Sequence, residues 1–220
     1  MRHAADPPHR VRAIAITVTV TFLAGIAAIW EQPVRVLGPL LRHVPHPGHA
    51  VQHSLVLLVF GLLLTIPTWK MSGLRIGTIR QHWRAVLIVC GIPVLLTALV
   101  YPQLGERPFA RAGAEMWLIS PLAQDLVFMG FTYGILESAF PKYVHPRVPV
   151  RRALLIGAVA FAAWHLPNLF SAMSPAFLAF QLLYTSAGFV LTGLSRQWTG
   201  SMLYATLSHS GVNFIAWVAH

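Results

Sequence analysis

Asp125, His165 and His209 are the groups able to ionise readily near neutral pH that lie well inside the apolar stretches of this 220-residue chain. A carboxylate can take a proton from water, and an imidazole can hold, return or donate one to a developing oxyanion. Each such group is costly in hydrocarbon, so by default it faces a bundle interior or a wet cavity and marks a functional site. One acid and two histidines at membrane depth therefore point to proton chemistry. The same three side chains have the right types for a zinc site with water in the fourth position. No His-Glu-x-x-His pair accompanies them.

Each residue brings polar company at short or helical spacing. Gln124 precedes Asp125, His165 follows Phe161 by four, and Asn213 follows His209 by four, so the members of each four-residue pair share a helix face. Pro167 opens the backbone two residues after His165, and Asn168 is read as the group that relieves it. A lone Asp and His from neighbouring helices would be explained as an interhelical bolt worth about 0.6 to 2 kcal/mol. Asp125, His165, His209, Gln124 and Asn213 together exceed what bolting requires, and their cost is least if they converge on one cavity.

The elements that must position them are membrane helices. Hydrophobic residues make up 56% of the chain and charged residues 10%, with a mean hydropathy of +0.64, whereas about a quarter of a soluble domain is charged. Apolar runs long enough to cross a bilayer fall at about 13–30, 52–69, 85–101, 116–136, 153–170, 176–194 and 201–219. The chain reads as an all-α, polytopic membrane bundle of about seven transmembrane helices, a single integral membrane domain over residues 1–220. No internal repeat or low-complexity tract stands out, and the first span, which lacks a convincing cleavage site, is expected to be retained.

Positive charge sets the expected topology. With the N-terminus in the cytoplasm, Arg2, Arg10, Arg12, Lys70, Arg75, Arg80, Arg84, Lys142, Arg147, Arg151, Arg152 and Arg196 fall on that side. Arg35, Arg42, Arg107 and Arg111 fall on the other. The asymmetry predicts an inward N-terminus and an outward C-terminus, in a membrane expected to be a prokaryotic inner membrane. The net charge of +10 sits in loops and forms no stripe, so the partner it implies is anionic lipid and not nucleic acid.

Other polar residues receive structural readings. Cys90 lies in an apolar run, has no second cysteine to pair with, and reads as a small core residue. Trp69, Trp83, Tyr101, Trp198 and Trp217 sit near span ends as expected interfacial anchors. His43, His46, His49 and His53 are spaced like a metal or pH-sensing cluster. Pro45, Pro47 and Gly48 break the face that would align them, which argues against a metal there.

Three segments carry a family resemblance. Pro121 to Gly130, the run Phe161-Ala162-Ala163-Trp164-His165, and His209-Ser210-Gly211-Val212-Asn213 resemble the three motifs of the CPBP family, the CAAX-processing and bacteriocin-processing intramembrane proteases also called Abi. The resemblance covers about residues 115–215, with Gly188 to Asn213 similar to the family's last two helices. It implies an intramembrane endopeptidase acting on a membrane-embedded or membrane-proximal peptide, one that is lipidated or carries a C-terminal sorting tail. The family's first motif reads Glu-Glu-x-x-x-Arg, whereas this chain has Gln124, Asp125 and Met129. Gln124 cannot act as a base and Met129 cannot pair an anion, and the joint loss of Glu and Arg keeps the local charge balanced.

The resemblance points to a family in which the first Glu activates water and the second supports it; with Gln at 124, Asp125 is expected to take over as the base. His165, His209 and Asn213 would stabilise the oxyanion or protonate the leaving amine, with Gln124 and Phe161 in support. It describes a metal-free, glutamic-type peptidase, so no cofactor is expected and zinc is disfavoured. Two alternatives stay open: a pseudoprotease that binds membrane peptides without cutting, in an immunity or chaperone-like role, and a proton-coupled transporter. The missing inverted repeat weighs against the transporter.

Overall fold

A computed structural model describes residues 7–29, 49–77, 79–103, 115–170 and 174–218. In chain order the helices are α1 (Pro7–Ile29), α2 (His49–Thr65), α3 (Trp69–Ser72), α4 (Trp83–Val100), α5 (Glu115–Asp125), α6 (Tyr133–Ala139), α7 (Arg152–Ala163), α8 (Pro175–Thr199) and α9 (Leu203–Val218). A π-helical stretch, Leu126–Thr132, joins α5 to α6 without interruption. Short 3-10 turns follow α4 and α7 at Tyr101–Gln103 and Leu166–Phe170.

The helix boundaries follow local chemistry. Ser174 caps α8 by accepting the Phe177 N–H at 3.2 Å, and Pro175 opens it at a position where its missing N–H costs nothing. The same helix ends at Gly200, which takes a left-handed conformation at φ 71° and donates its N–H to the Arg196 carbonyl at 2.7 Å. Pro93 removes one backbone bond inside α4. Its own carbonyl accepts from Thr97 Oγ1 at 2.7 Å and from the Tyr184 hydroxyl of α8 at 2.9 Å, tying those two helices together.

The continuous α5–π–α6 helix is the centre of the bundle. Two thirds of its apolar span is buried, 67%, against 28 to 33% for the other helices long and apolar enough to cross a membrane: α1, α4 with its 3-10 turn, and α8. α2 and α9 flank α5, the π stretch lies against α2 and α3, and α6 packs on α7 and α1. Leu126, Val127, Phe128, Met129, Tyr133 and Leu136 are fully enclosed. Around this core, Phe22, Leu63, Leu87, Val159, Leu183 and Leu207 stay exposed, the disposition of side chains that face lipid. The protein is an all-α integral membrane bundle; among the described residues four helices are long and apolar enough to cross a membrane, and the expected span 153–170 is α-helical only to Ala163, followed by a turn and a 3-10 stretch.

Three local expectations change. The Pro141 to Pro149 connection is a small antiparallel hairpin, Tyr143–His145 with Val148–Arg151. Gln197 of α8 clamps it, accepting the Arg151 N–H at 3.2 Å and donating to the Pro149 carbonyl at 2.8 Å. Tyr101 is buried edge-on against Phe177 at 6.2 Å, so it is a packing residue and not an interfacial anchor. Arg196 is not a loop residue: α8 continues to Thr199, and Arg196 is 3% exposed. Cys90 keeps its expected role, packed beside the core with its thiol 3.5 Å from the Tyr204 carbonyl. His43 and His46, and the side chains of His49 and His53, lie outside the described residues.

Candidate functional site

Asp125 is the last residue of α5, about 12 Å along the axis from Trp117 at a rise of about 1.5 Å per residue. It is 4% exposed. Its Oδ1 lies 3.3 Å from His209 Nδ1 on α9. An ionised carboxylate can only accept, so the contact is a hydrogen bond to it when His209 Nδ1 carries the proton. Among the described residues, Asp125 Oδ2 is buried without a hydrogen-bond partner. A buried acceptor with an empty lone pair is costly and needs an explanation.

Phe161 organises the second histidine. In the turn just past the end of α7, His165 reaches back so that its Nδ1 lies 2.9 Å from the Phe161 carbonyl. A carbonyl also only accepts, so His165 Nδ1 is the donor, and Nε2 of the neutral ring is left as an acceptor. The Phe161 ring stands edge-on to both imidazoles, 5.1 Å from His165 and 6.0 Å from His209. It also contacts Phe128 at 5.3 Å and Phe189 at 5.4 Å. One aromatic ring thus spaces the two histidines and joins them to the central helix.

The remaining candidates divide. Asn213 is buried one turn beyond His209 on α9, on the same face. Gln124 is buried, and its Nε2 donates to Ser120 Oγ at 2.8 Å within α5, so that amide group is committed to its own helix. Asn168 does not serve the backbone opened by Pro167 alone. Its Nδ2 donates to Gln181 Oε1 at 2.9 Å, locking the turn after His165 to α8. Met129 fills an apolar slot against α8, where its Cε would lie 3.3 Å from a Cβ on Gly193. Among the described residues, no three His, Cys, Asp or Glu side chains gather as a metal-ligand set.

Arg196 is the polar residue that motif reading passes over. Its Nη1 donates to the Gly130 carbonyl at 3.0 Å and its Nη2 to the Met71 carbonyl at 2.5 Å. Its guanidinium lies 4.7 Å from the centre of the Tyr133 ring, within cation–π range. The signal was present in the sequence. No proline interrupts Thr192 to Thr199, and Arg196 falls on the face marked by Thr192 and Thr199, both buried.

The family model described as type II CAAX prenyl endopeptidase Rce1-like matches residues 106–215, which is 110 of the 220 residues and includes all three motif segments. No curated protein and no solved structure matches significantly. With half of the chain matched, and with Asp125, His165 and His209 within the matched residues, the chain belongs to the Rce1-like family of CAAX-type membrane endopeptidases.

Proposed function

We propose that this chain is an active intramembrane endopeptidase and that Asp125 is its general base. The observation that carries the reading is the divided state of the carboxylate: Oδ1 faces His209 Nδ1, while Oδ2 is buried and unpartnered among the described residues. A water at Oδ2 would satisfy that acceptor and stand where its proton can be taken. His165, with Nδ1 committed to the Phe161 carbonyl, offers Nε2 as a second acceptor to orient the same water.

The attacking oxygen adds to a peptide carbonyl, and negative charge develops on the carbonyl oxygen. His209, with both ring nitrogens protonated, keeps Nδ1–H on Asp125 and donates an Nε2–H hydrogen bond to that oxyanion; as the C–N bond breaks, the proton that Asp125 took from water passes to the leaving amine and restores the carboxylate. Asn213, one turn away on the same face, adds a neutral donor. Gln124 holds the end of α5 through Ser120. No metal is required for this sequence of proton transfers. The substrate is a membrane-embedded or membrane-proximal peptide, lipidated or carrying a C-terminal sorting tail. The pseudoprotease reading keeps the same residues but predicts binding without a new terminus.

The test is mass spectrometry of protein termini in host membranes, comparing wild type with Asp125→Asn at matched expression. Termini that vanish in the variant support the reading and name the substrate. Identical termini would overturn it in favour of a binding role.

A further inference from the structure

We infer that Arg196 is a positioning residue for Asp125, acting through the π-helical stretch that begins at the next residue. For its functional half the inference rests on the reading of Asp125 as base. A cation buried in a membrane bundle is costly and is normally paired with an acid or turned to a cavity. Arg196 has no carboxylate partner among the described residues, and its guanidinium hydrogens go to two backbone carbonyls. The chain also leaves room for it. A Cβ at Gly73 would lie 3.2 Å from Arg196 Nε, and one at Gly134 would lie 3.3 Å from Nη2.

The position of the contact matters. In the π stretch the Tyr133 N–H bonds the Phe128 carbonyl, five residues back, and also reaches the Gly130 carbonyl. The wide turn closes there and α6 begins. Arg196 donates to that same Gly130 carbonyl and stacks on the ring of Tyr133, so it clasps the C-terminal end of the π stretch while Asp125 sits at its N-terminal end. π turns are rare and occur frequently at functional sites. Relative to an α-helix, widening the turn moves the residue above Asp125 from Met129 towards Gly130. A Cβ on Gly130 would meet the Asp125 carbonyl at 3.3 Å, Thr65 Cγ2 at 3.1 Å and Met202 Sδ at 3.2 Å. Releasing the clasp lets the stretch relax towards α-helix, which rotates Asp125 away from His209.

The experiment uses the full chain in lipid nanodiscs, with Arg196→Lys, Arg196→Gln and Tyr133→Leu. Lysine keeps the charge but cannot fork onto two carbonyls and stack at once. Infrared spectroscopy across a pH series isolates the Asp125 carboxyl band as the one lost in Asp125→Asn, a tractable assignment with six acidic residues in the chain. Hydrogen exchange reports on the amides of 126–133. The inference expects faster exchange confined to 126–133 and an Asp125 titration midpoint moved by about one pH unit in both Arg196 variants. It also expects an intermediate effect in Tyr133→Leu. For a farnesylated CAAX-type peptide that wild type cleaves, kcat should fall about 10-fold with KM unchanged. An unmoved midpoint overturns the inference, even if exchange rises, because Arg196 would then be a structural anchor only. If wild type does not cleave this peptide, the protease reading is decided by the termini comparison with Asp125→Asn, and the midpoint and exchange still decide the role of Arg196. If Arg196→Gln does not fold, Arg196→Lys and Tyr133→Leu carry the test.

Discussion

Asp125 Oδ1 and His209 Nδ1 lie 3.3 Å apart across 84 residues of chain, joining the central helix to the last one. The contact leaves the other carboxylate oxygen buried and without a partner among the described residues, and that atom is the one proposed to hold the attacking water. Removing the charge while keeping the shape isolates that function. Asp125→Asn should lower cleavage by about 10²- to 10⁴-fold, the range spanned by general-base catalysis, with thermal unfolding in detergent close to wild type. A product peptide at wild-type rate would remove Asp125 from the mechanism.

The two histidines should separate in a double-mutant cycle. His209 contacts Asp125 directly, whereas His165 is fixed by the Phe161 carbonyl. His209→Ala combined with Asp125→Asn should cost little more than the worse single variant, because residues that act as a unit are non-additive. His165→Ala alone should lower kcat by about 10²-fold. Fully additive losses for Asp125 and His209 would show that their contact plays no part in turnover.

Phe161 offers a subtler test. Its ring separates both imidazoles and packs on Phe128 and Phe189. Phe161→Ala should destabilise the fold by about 3 kcal/mol through the cavity it leaves, whereas Phe161→Tyr should keep stability near wild type. Chemical denaturation of the two variants distinguishes a packing ring from a dispensable one.

Close backbone approach predicts another stability loss. A Cβ on Gly77 would lie 2.3 Å from the Thr199 carbonyl oxygen and 2.8 Å from Ser201 Cβ, so no rotamer change can relieve it. Gly77→Ala should cost about 1 to 3 kcal/mol, read as a lower midpoint of thermal unfolding. Tyr204, whose hydroxyl bonds the Gly77 carbonyl at 3.2 Å, should become more accessible to iodination in the same variant.

Chelation should leave cleavage intact. No three metal-binding side chains gather among the described residues, and the proposed water is activated by a carboxylate. Turnover of a membrane peptide substrate should persist after prolonged treatment with EDTA and 1,10-phenanthroline. Loss of activity that zinc restores would require a different mechanism.

The sequence by itself determined the membrane class, the helical stretches and the residues worth watching. Unbroken apolar runs admit few alternatives in lipid, where backbone groups must bond within their own helix. Four-residue spacing was enough to place His165 beside Phe161 and Asn213 on the face of His209. Positive charge, however, misplaced Arg196, because a rule that counts basic residues in loops cannot see one whose donors meet the carbonyls of Gly130 and Met71. Only the tertiary structure decided that Asp125 pairs with His209, that Gln124 is held by Ser120, and that Tyr101 is buried against Phe177. It also decided the π turn after Asp125. Its hydrogen bonds differ from those of an α-helix by one residue in register, a choice made by packing against α2 and α3 and by the Arg196 clasp, to which helical periodicity is blind.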